Sequence, residues 1–132
     1  MNRPYLLSFP SIGDASLGFL SVAHQLSDIP FEITRVYCTY HTPQDVTRGS
    51  HANIEKELVL VALAGTITIT TEMQDGNKQT FVLDHPSRGV YLPKLCWHTM
   101  QYSENAVQMV MASNLYSEDD YIRDYSLFKI FQ

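Results

Sequence analysis

The residues best suited to chemistry stand in two short segments. One is Arg48-Gly49-Ser50-His51-Ala52-Asn53, with Glu57 just beyond it; the other is Pro93-Lys94-Leu95-Cys96-Trp97-His98. In an extended strand, positions 51 and 53 point to the same face, so His51 and Asn53 look into an interior together or out of it together. A histidine titrates near neutral pH and serves either as a proton shuttle or as a metal ligand. Asparagine does neither well: its amide donates hydrogen bonds but carries no transferable proton at neutral pH, and it is a poor transition-metal ligand beside imidazole. His24, His41 and His85 fall in loop-like contexts and read as structurally neutral.

These segments need a scaffold, and the chain is long enough for one. Its 132 residues suit a single domain with a real core, spanning residues 1–132. The sequence offers no apolar run near the ~20 residues of a spanning helix, and no basic segment followed by an unbroken apolar one near its start, so a cytoplasmic protein that does not span a membrane is expected. Cys38 and Cys96 have no knuckle spacing and read as reduced, buried thiols. The formal net charge is −5 with Lys and Arg scattered, which argues against a general nucleic-acid binder. It leaves room for a nucleotide ligand, because one or two well-placed arginines hold a diphosphate whatever the net charge.

The patterning is that of short antiparallel strands. Phe31 to Tyr40 alternates apolar and polar residues, as a half-buried strand does. Glu57 to Ala64 is apolar on both faces, with Val59, Val61 and Leu63 on one and Leu58, Leu60 and Ala62 on the other, which predicts a strand buried on both sides. Thr66 to Met73 and the strand starting at Thr80 flank Asp75-Gly76-Asn77, a tight hairpin turn. Gly89 to Leu92, Leu95 to Met100 and Ala106 to Ala112 add further strands. Seven to nine strands with turn signals between them predict an all-β sandwich or barrel, with jelly-roll closure as one solution. Only Glu118 to Phe131 looks helical, since Tyr121, Tyr125 and Phe128 recur at helical intervals; it is expected to pack on the barrel wall.

His51-Ala52-Asn53, Glu57 and His98 resemble the two cupin motifs, in which a His-x-His, a Glu and a final His converge inside a double-stranded β-helix. A more specific resemblance is to the sugar 3,4-ketoisomerases, small cupins that act on dTDP-4-keto-6-deoxyglucose. It is carried by Asp28-Ile29-Pro30-Phe31, Arg35-Val36-Tyr37, Arg48-Gly49-Ser50-His51-Ala52, Leu58 to Gly65, Gly89-Val90-Tyr91, Trp97-His98 and the tail Tyr116 to Tyr125. Two positions depart from that family: Asn53 replaces the second histidine, and Leu17-Gly18-Phe19-Leu20 stands for an Arg-Gly-x-Leu segment.

The resemblance implies a reaction that moves a ketone from carbon 4 to carbon 3 of a hexose through an enediol or enediolate, with no redox cofactor and no metal. His51 becomes the proton shuttle, and Tyr37 and His98 become hydrogen-bond donors to the enolate oxygen. Arg48, Arg35, Asn53 and Trp97 become candidate substrate contacts, although Arg48 alternatively forms an ion pair that fixes its own turn. With Asn53 leaving one shuttle, return of the proton to the same ring face favours the galacto product. The product would feed formation of a 3-amino-3,6-dideoxyhexose for a bacterial surface polysaccharide such as an O-antigen, and the family suggests a homodimer with exchanged N-terminal strands. Two readings of other classes stand beside this one: a non-catalytic sugar-nucleotide-binding cupin, and a metal-dependent cupin with His51, Glu57 and His98 as ligands.

Overall fold

The computed structural model describes residues 2–132. Twelve strands run in the order β1 (Tyr5–Ser8), β2 (Ser11–Asp14), β3 (Gly18–Ser21), β4 (Arg35–Tyr40), β5 (Arg48–Asn53), β6 (Leu58–Ala64), β7 (Ile67–Met73), β8 (Lys78–Leu83), β9 (Arg88–Leu92), β10 (Cys96–Tyr102), β11 (Val107–Ala112) and β12 (Tyr121–Ile122). A 3-10 turn at Glu118–Asp120 precedes β12, and one helix, α1 (Tyr125–Ile130), follows it. Two five-stranded antiparallel sheets, ordered β1-β9-β6-β11-β4 and β12-β5-β10-β7-β8, face each other, and β2 and β3 form a separate hairpin. This is the cupin jelly roll with a short C-terminal helix that the sequence predicts.

The alternation in β6 explains how the layers stack. Leu58, Leu60 and Ala62 enter the interior core with Ile67, Ile69, Phe81, Leu83 and Val110. Val59 and Val61 point the other way, under Phe9, Ile29 and Phe31 of the N-terminal segment. Leu63 and Ala64, at the strand end, escape burial. A third cluster closes the outer face of the second sheet, where Phe128 of α1 packs on Ala52 and Ile122 beside Trp97. The hairpin at Asp75-Gly76-Asn77 forms as expected: Gly76 takes φ +90°, and the Asp75 carboxylate accepts from the Asn77 amide at 3.0 Å.

Four expectations are corrected. The strand read over Phe31 to Tyr40 begins only at Arg35, because Phe31 leaves the sheet to cover β6. The strand count exceeds nine because four short pieces add to it: β1 and β12 pair with strands distant in sequence, and β2 and β3 pair with each other as a local hairpin. The tail is helical only from Tyr125, since Asp124 caps α1 by accepting from the Leu127 amide at 3.0 Å and Tyr121–Ile122 is held as a strand against β5. Cys38 is exposed, on the outward face of the edge strand β4, while Cys96 is buried; both are free thiols.

Candidate active site

His51 reaches the interior through a break in strand regularity. In the pairing of β5 with β10, His51 lies opposite His98 and Gly49 opposite Thr99, so Ser50 has no partner and the register shifts there. Arg48 and His51 are three apart and would face opposite sides of a regular strand; the extra residue puts both on the face of His98 and Met100. The bulge requires left-handed backbone at Gly49, φ +87°, and Ser50, φ +58°. Gly49 must be glycine for a second reason: a Cβ there would sit 2.8 Å from the His98 carbonyl oxygen. The Arg48-Gly49-Ser50-His51 motif is thus a device for aiming two side chains from one strand.

The cavity they enter has a volume of about 350 Å³, in the range of small-molecule sites. His51, His98, Tyr37, Arg35, Arg48, Tyr116, Tyr121 and Arg123 contribute to its lining. The His51 ring meets His98 edge to face at 4.6 Å between centroids and the Tyr121 ring at 4.8 Å. Burial, then the proximity of His98, Arg123 and Lys56, pushes the His51 pKa down to about 3 against the pull of the Gly49 backbone, so the imidazole is neutral at physiological pH. Its Nδ1 is buried without a hydrogen-bond partner. A neutral imidazole with an unengaged nitrogen is the form a general base must take.

Although the chain is acidic, the cavity is cationic. Arg35 lies 4.4 Å from the Tyr37 ring centroid and 5.5 Å from that of Tyr116, and its Nη1 is buried with no partner. Arg48 pairs with no carboxylate among the described residues, which removes the turn-fixing ion pair as its role. Arg123 makes a two-bond contact with Glu118, at 2.8 and 3.0 Å, and this with a hydrogen bond from Tyr116 draws the Glu118 pKa down to about 2. Unpaired guanidinium donors in a concave site mark a place for an anion.

The sequence-predicted residues separate into two sets. His51, Tyr37, His98, Arg48 and Arg35 share the cavity. Tyr37 is largely buried, and desolvation raises its pKa, keeping the phenol protonated and able to donate. His98 does not fit its expected donor role. Its Nδ1 lies 3.0 Å from the Cys96 carbonyl, which only accepts, so the proton sits on Nδ1. Burial lowers its pKa, so the ring is neutral and Nε2 is an acceptor.

Asn53 and Trp97 lie outside the cavity. The Asn53 amide donates to Asp120 at 3.2 Å, where β12 meets the end of β5. Trp97 neighbours His98 on β10 and therefore faces the other way, packing against Tyr125 and Phe128. The three-ligand metal set is not assembled either: the Glu57 carboxylate accepts from the Tyr91 hydroxyl at 2.9 Å, and among the described residues no three His, Cys, Asp or Glu side chains form a metal-binding group.

Sequence reasoning missed Tyr116, Tyr121, Arg123 and Lys56. Tyr121 and Arg123 belong to the tail read as a wall-packing helix, and Tyr116 stands just before it. β12 pairs Tyr121 with Asn53 and Ile122 with Ala52, so Ile122 goes under α1 and Tyr121 goes to the cavity side. The Asp124 cap, which starts the helix after Tyr121, was the available signal.

Comparison with known proteins agrees with this geometry. Residues 2–132 match the family described as FdtA: WxcM-like, C-terminal. The TDP-4-oxo-6-deoxy-alpha-D-glucose-3,4-oxoisomerase of Aneurinibacillus thermoaerophilus is 40% identical over 126 residues, covering 94% of this chain and 88% of that one. The QdtA sugar 3,4-ketoisomerase of Thermoanaerobacterium thermosaccharolyticum, solved with TDP, superposes with a TM-score of 0.91 at 35% identity, covering 96% of this chain and 92% of that one. A mutant of the same enzyme, solved with TDP-4-keto-6-deoxyglucose, gives 0.91 at 34% identity over 98% and 93% of the two chains. With this sequence match, this fold and this histidine-centred cavity, the chain belongs to the FdtA, WxcM-like C-terminal family of cupins, alongside the TDP-sugar 3,4-ketoisomerases.

Proposed function

We propose that the protein is a 3,4-ketoisomerase that converts TDP-4-keto-6-deoxyglucose to the 3-keto isomer. The observation that carries this is a neutral His51 with an unpartnered Nδ1 in one cavity with Arg35, whose buried Nη1 is also unpartnered. A base that must remove a carbon-bound proton and a cation that must hold an anion are the two requirements of this substrate. Arg35 and Arg48 take the diphosphate, and Tyr37 donates to the oxygen that gains charge. His51 removes the proton from carbon 3 and returns it to carbon 4. His98 accepts a hydrogen bond from a substrate hydroxyl through Nε2. Asn53 and Trp97 serve the scaffold.

One shuttle on one ring face favours the galacto product, a substrate for an aminotransferase making a deoxyamino sugar. A homodimer fits the surface: the β2–β3 hairpin carries exposed Ile12, Leu17, Phe19 and Leu20, Leu17 at 89% exposure, and the outer face of the edge strand β4 exposes Val36 and Tyr40. The test is NMR of the sugar after incubation with TDP-4-keto-6-deoxyglucose. A 3-keto-6-deoxygalacto signal is expected; binding of TDP with no conversion would replace the proposal by the sugar-nucleotide-binding reading, and a gluco product would end the one-face transfer.

A further inference from the structure

Among the described residues Lys56 is the largest fully buried side chain, 2% exposed. A buried ammonium is costly unless something compensates it, and no carboxylate pairs with Lys56 among the described residues. Its Nζ instead donates to the Tyr121 hydroxyl at 3.3 Å and lies 4.7 Å from the Tyr121 ring centroid and 5.9 Å from that of Tyr116. Across the ring lies the Arg123 guanidinium, 4.4 Å from the Tyr121 ring centroid and paired with Glu118. Tyr121 is thus a phenol held by a buried ammonium with no carboxylate partner, in van der Waals range of His51 and lining the same cavity.

The hydrogen-bond polarity matters here. An ammonium only donates, so Lys56 occupies a lone pair of the Tyr121 oxygen and leaves the phenolic proton to point elsewhere. Among the described residues that proton has no acceptor. Moving a ketone between adjacent carbons requires two separate proton movements: one between the carbons, and one from the hydroxyl oxygen on carbon 3 to the carbonyl oxygen on carbon 4. His51 accounts for the first alone.

Resting on the ketoisomerase reading above, we propose that the Tyr121 hydroxyl is a catalytic residue that relays the proton from O3 to O4, with Lys56 as its positioning residue. His51 takes the carbon 3 proton; the C–H electron pair becomes the C3=C4 double bond, and the carbonyl pair moves onto O4. Tyr121 gives its proton to O4, passing through a phenolate that the Lys56 ammonium stabilises, and recovers a proton from the O3 hydroxyl. The O3 electron pair then forms the new carbonyl, and the C3=C4 pair takes the proton from His51 at carbon 4. Every proton and electron pair is returned, and no oxidant or reductant enters.

The test is the Tyr121→Phe variant with TDP-4-keto-6-deoxyglucose in deuterated water, beside the unaltered protein. Loss of a positioned acid-base group costs ~10²–10⁴-fold in rate, so kcat is expected to fall at least ~100-fold with KM within about threefold. Whatever deuterium entry at carbon 3 the unaltered protein shows in recovered substrate is expected to persist in the variant, because His51 is intact. Turnover by Tyr121→Phe at the unaltered rate would overturn the relay while leaving the ketoisomerase reading in place; absence of turnover and exchange in the unaltered protein would overturn both. Lys56→Met should lower kcat without moving KM, and adding it to Tyr121→Phe should slow the enzyme no further; a multiplicative loss in the double variant would remove Lys56 from the relay. Should Tyr121→Phe lose TDP affinity, fluorotyrosine at position 121 keeps the shape and lowers the phenol pKa. The pH limb of kcat must then move with it, and an unmoved limb overturns the relay.

Discussion

The neutral state of His51 makes a measurable demand on stability. Its pKa is about 3 in the folded protein and about 6.5 in the unfolded chain. Between these values the unfolded chain holds a proton that the folded protein does not, so stability rises with pH through the window and is lost as pH falls below about 6.5. Each proton contributes up to ~1.4 kcal/mol per pH unit. Integrated from about pH 7 to pH 5, His51 alone removes about 2 kcal/mol. His98 is shifted in the same direction by its burial and adds a second loss. The depressed carboxylates, Glu72 and Glu118, hold their charge through this window and contribute below it. Urea unfolding followed by Trp97 fluorescence at the two pH values, for the unaltered protein and His51→Asn, isolates the His51 share. The variant should lose about 2 kcal/mol less on acidification. Equal losses in the two proteins would mean that His51 is not held neutral, and the argument for it as a ready base would fail.

Three further outcomes follow from the same geometry. Gly49→Ala should lower both stability and turnover, because its Cβ meets the His98 carbonyl and the φ of +87° is closed to it; chemical denaturation with a parallel rate assay checks both. Phe128→Ala should cost ~3–5 kcal/mol as a fully buried aromatic lost from the third core cluster. It should also reduce kcat, since α1 anchors the tail: Glu72 accepts from Tyr125 at 2.6 Å and Lys129 at 3.0 Å, and the Gln74 amide donates to the Phe128 and Phe131 carbonyls. Arg35→Met should weaken TDP binding, read by calorimetry, by roughly 10- to 150-fold, the ~1.5–3 kcal/mol of a charged hydrogen bond, without changing the fold.

The parts of the fold legible in the sequence were those whose signal is local. β6 shows its two buried faces in its own alternation, and the β7–β8 hairpin is written in Asp75-Gly76-Asn77. His51 was legible through its motif, but the bulge that aims it was not, because it exists only in the pairing of β5 with β10. Trp97 is placed by a rule the sequence itself carries: adjacent strand residues face opposite ways, so with His98 inside, Trp97 is outside. Asn53 shares its strand face with His51 but sits at the strand end, where the Asp120 carboxylate takes its amide. Tyr121 and Lys56 were invisible for a different reason. Their meeting depends on a two-residue strand held in place by tertiary contacts rather than by its own propensity.

The most direct test of the central claim is deuterium incorporation from solvent into TDP-4-keto-6-deoxyglucose, followed by NMR, in the unaltered protein and in His51→Asn with matched TDP affinity. The unaltered protein must form the 3-keto product, with any deuterium confined to the reacting carbons, and His51→Asn must bind with neither product nor exchange at carbon 3. Exchange and product formation by His51→Asn at the unaltered rate would contradict the claim.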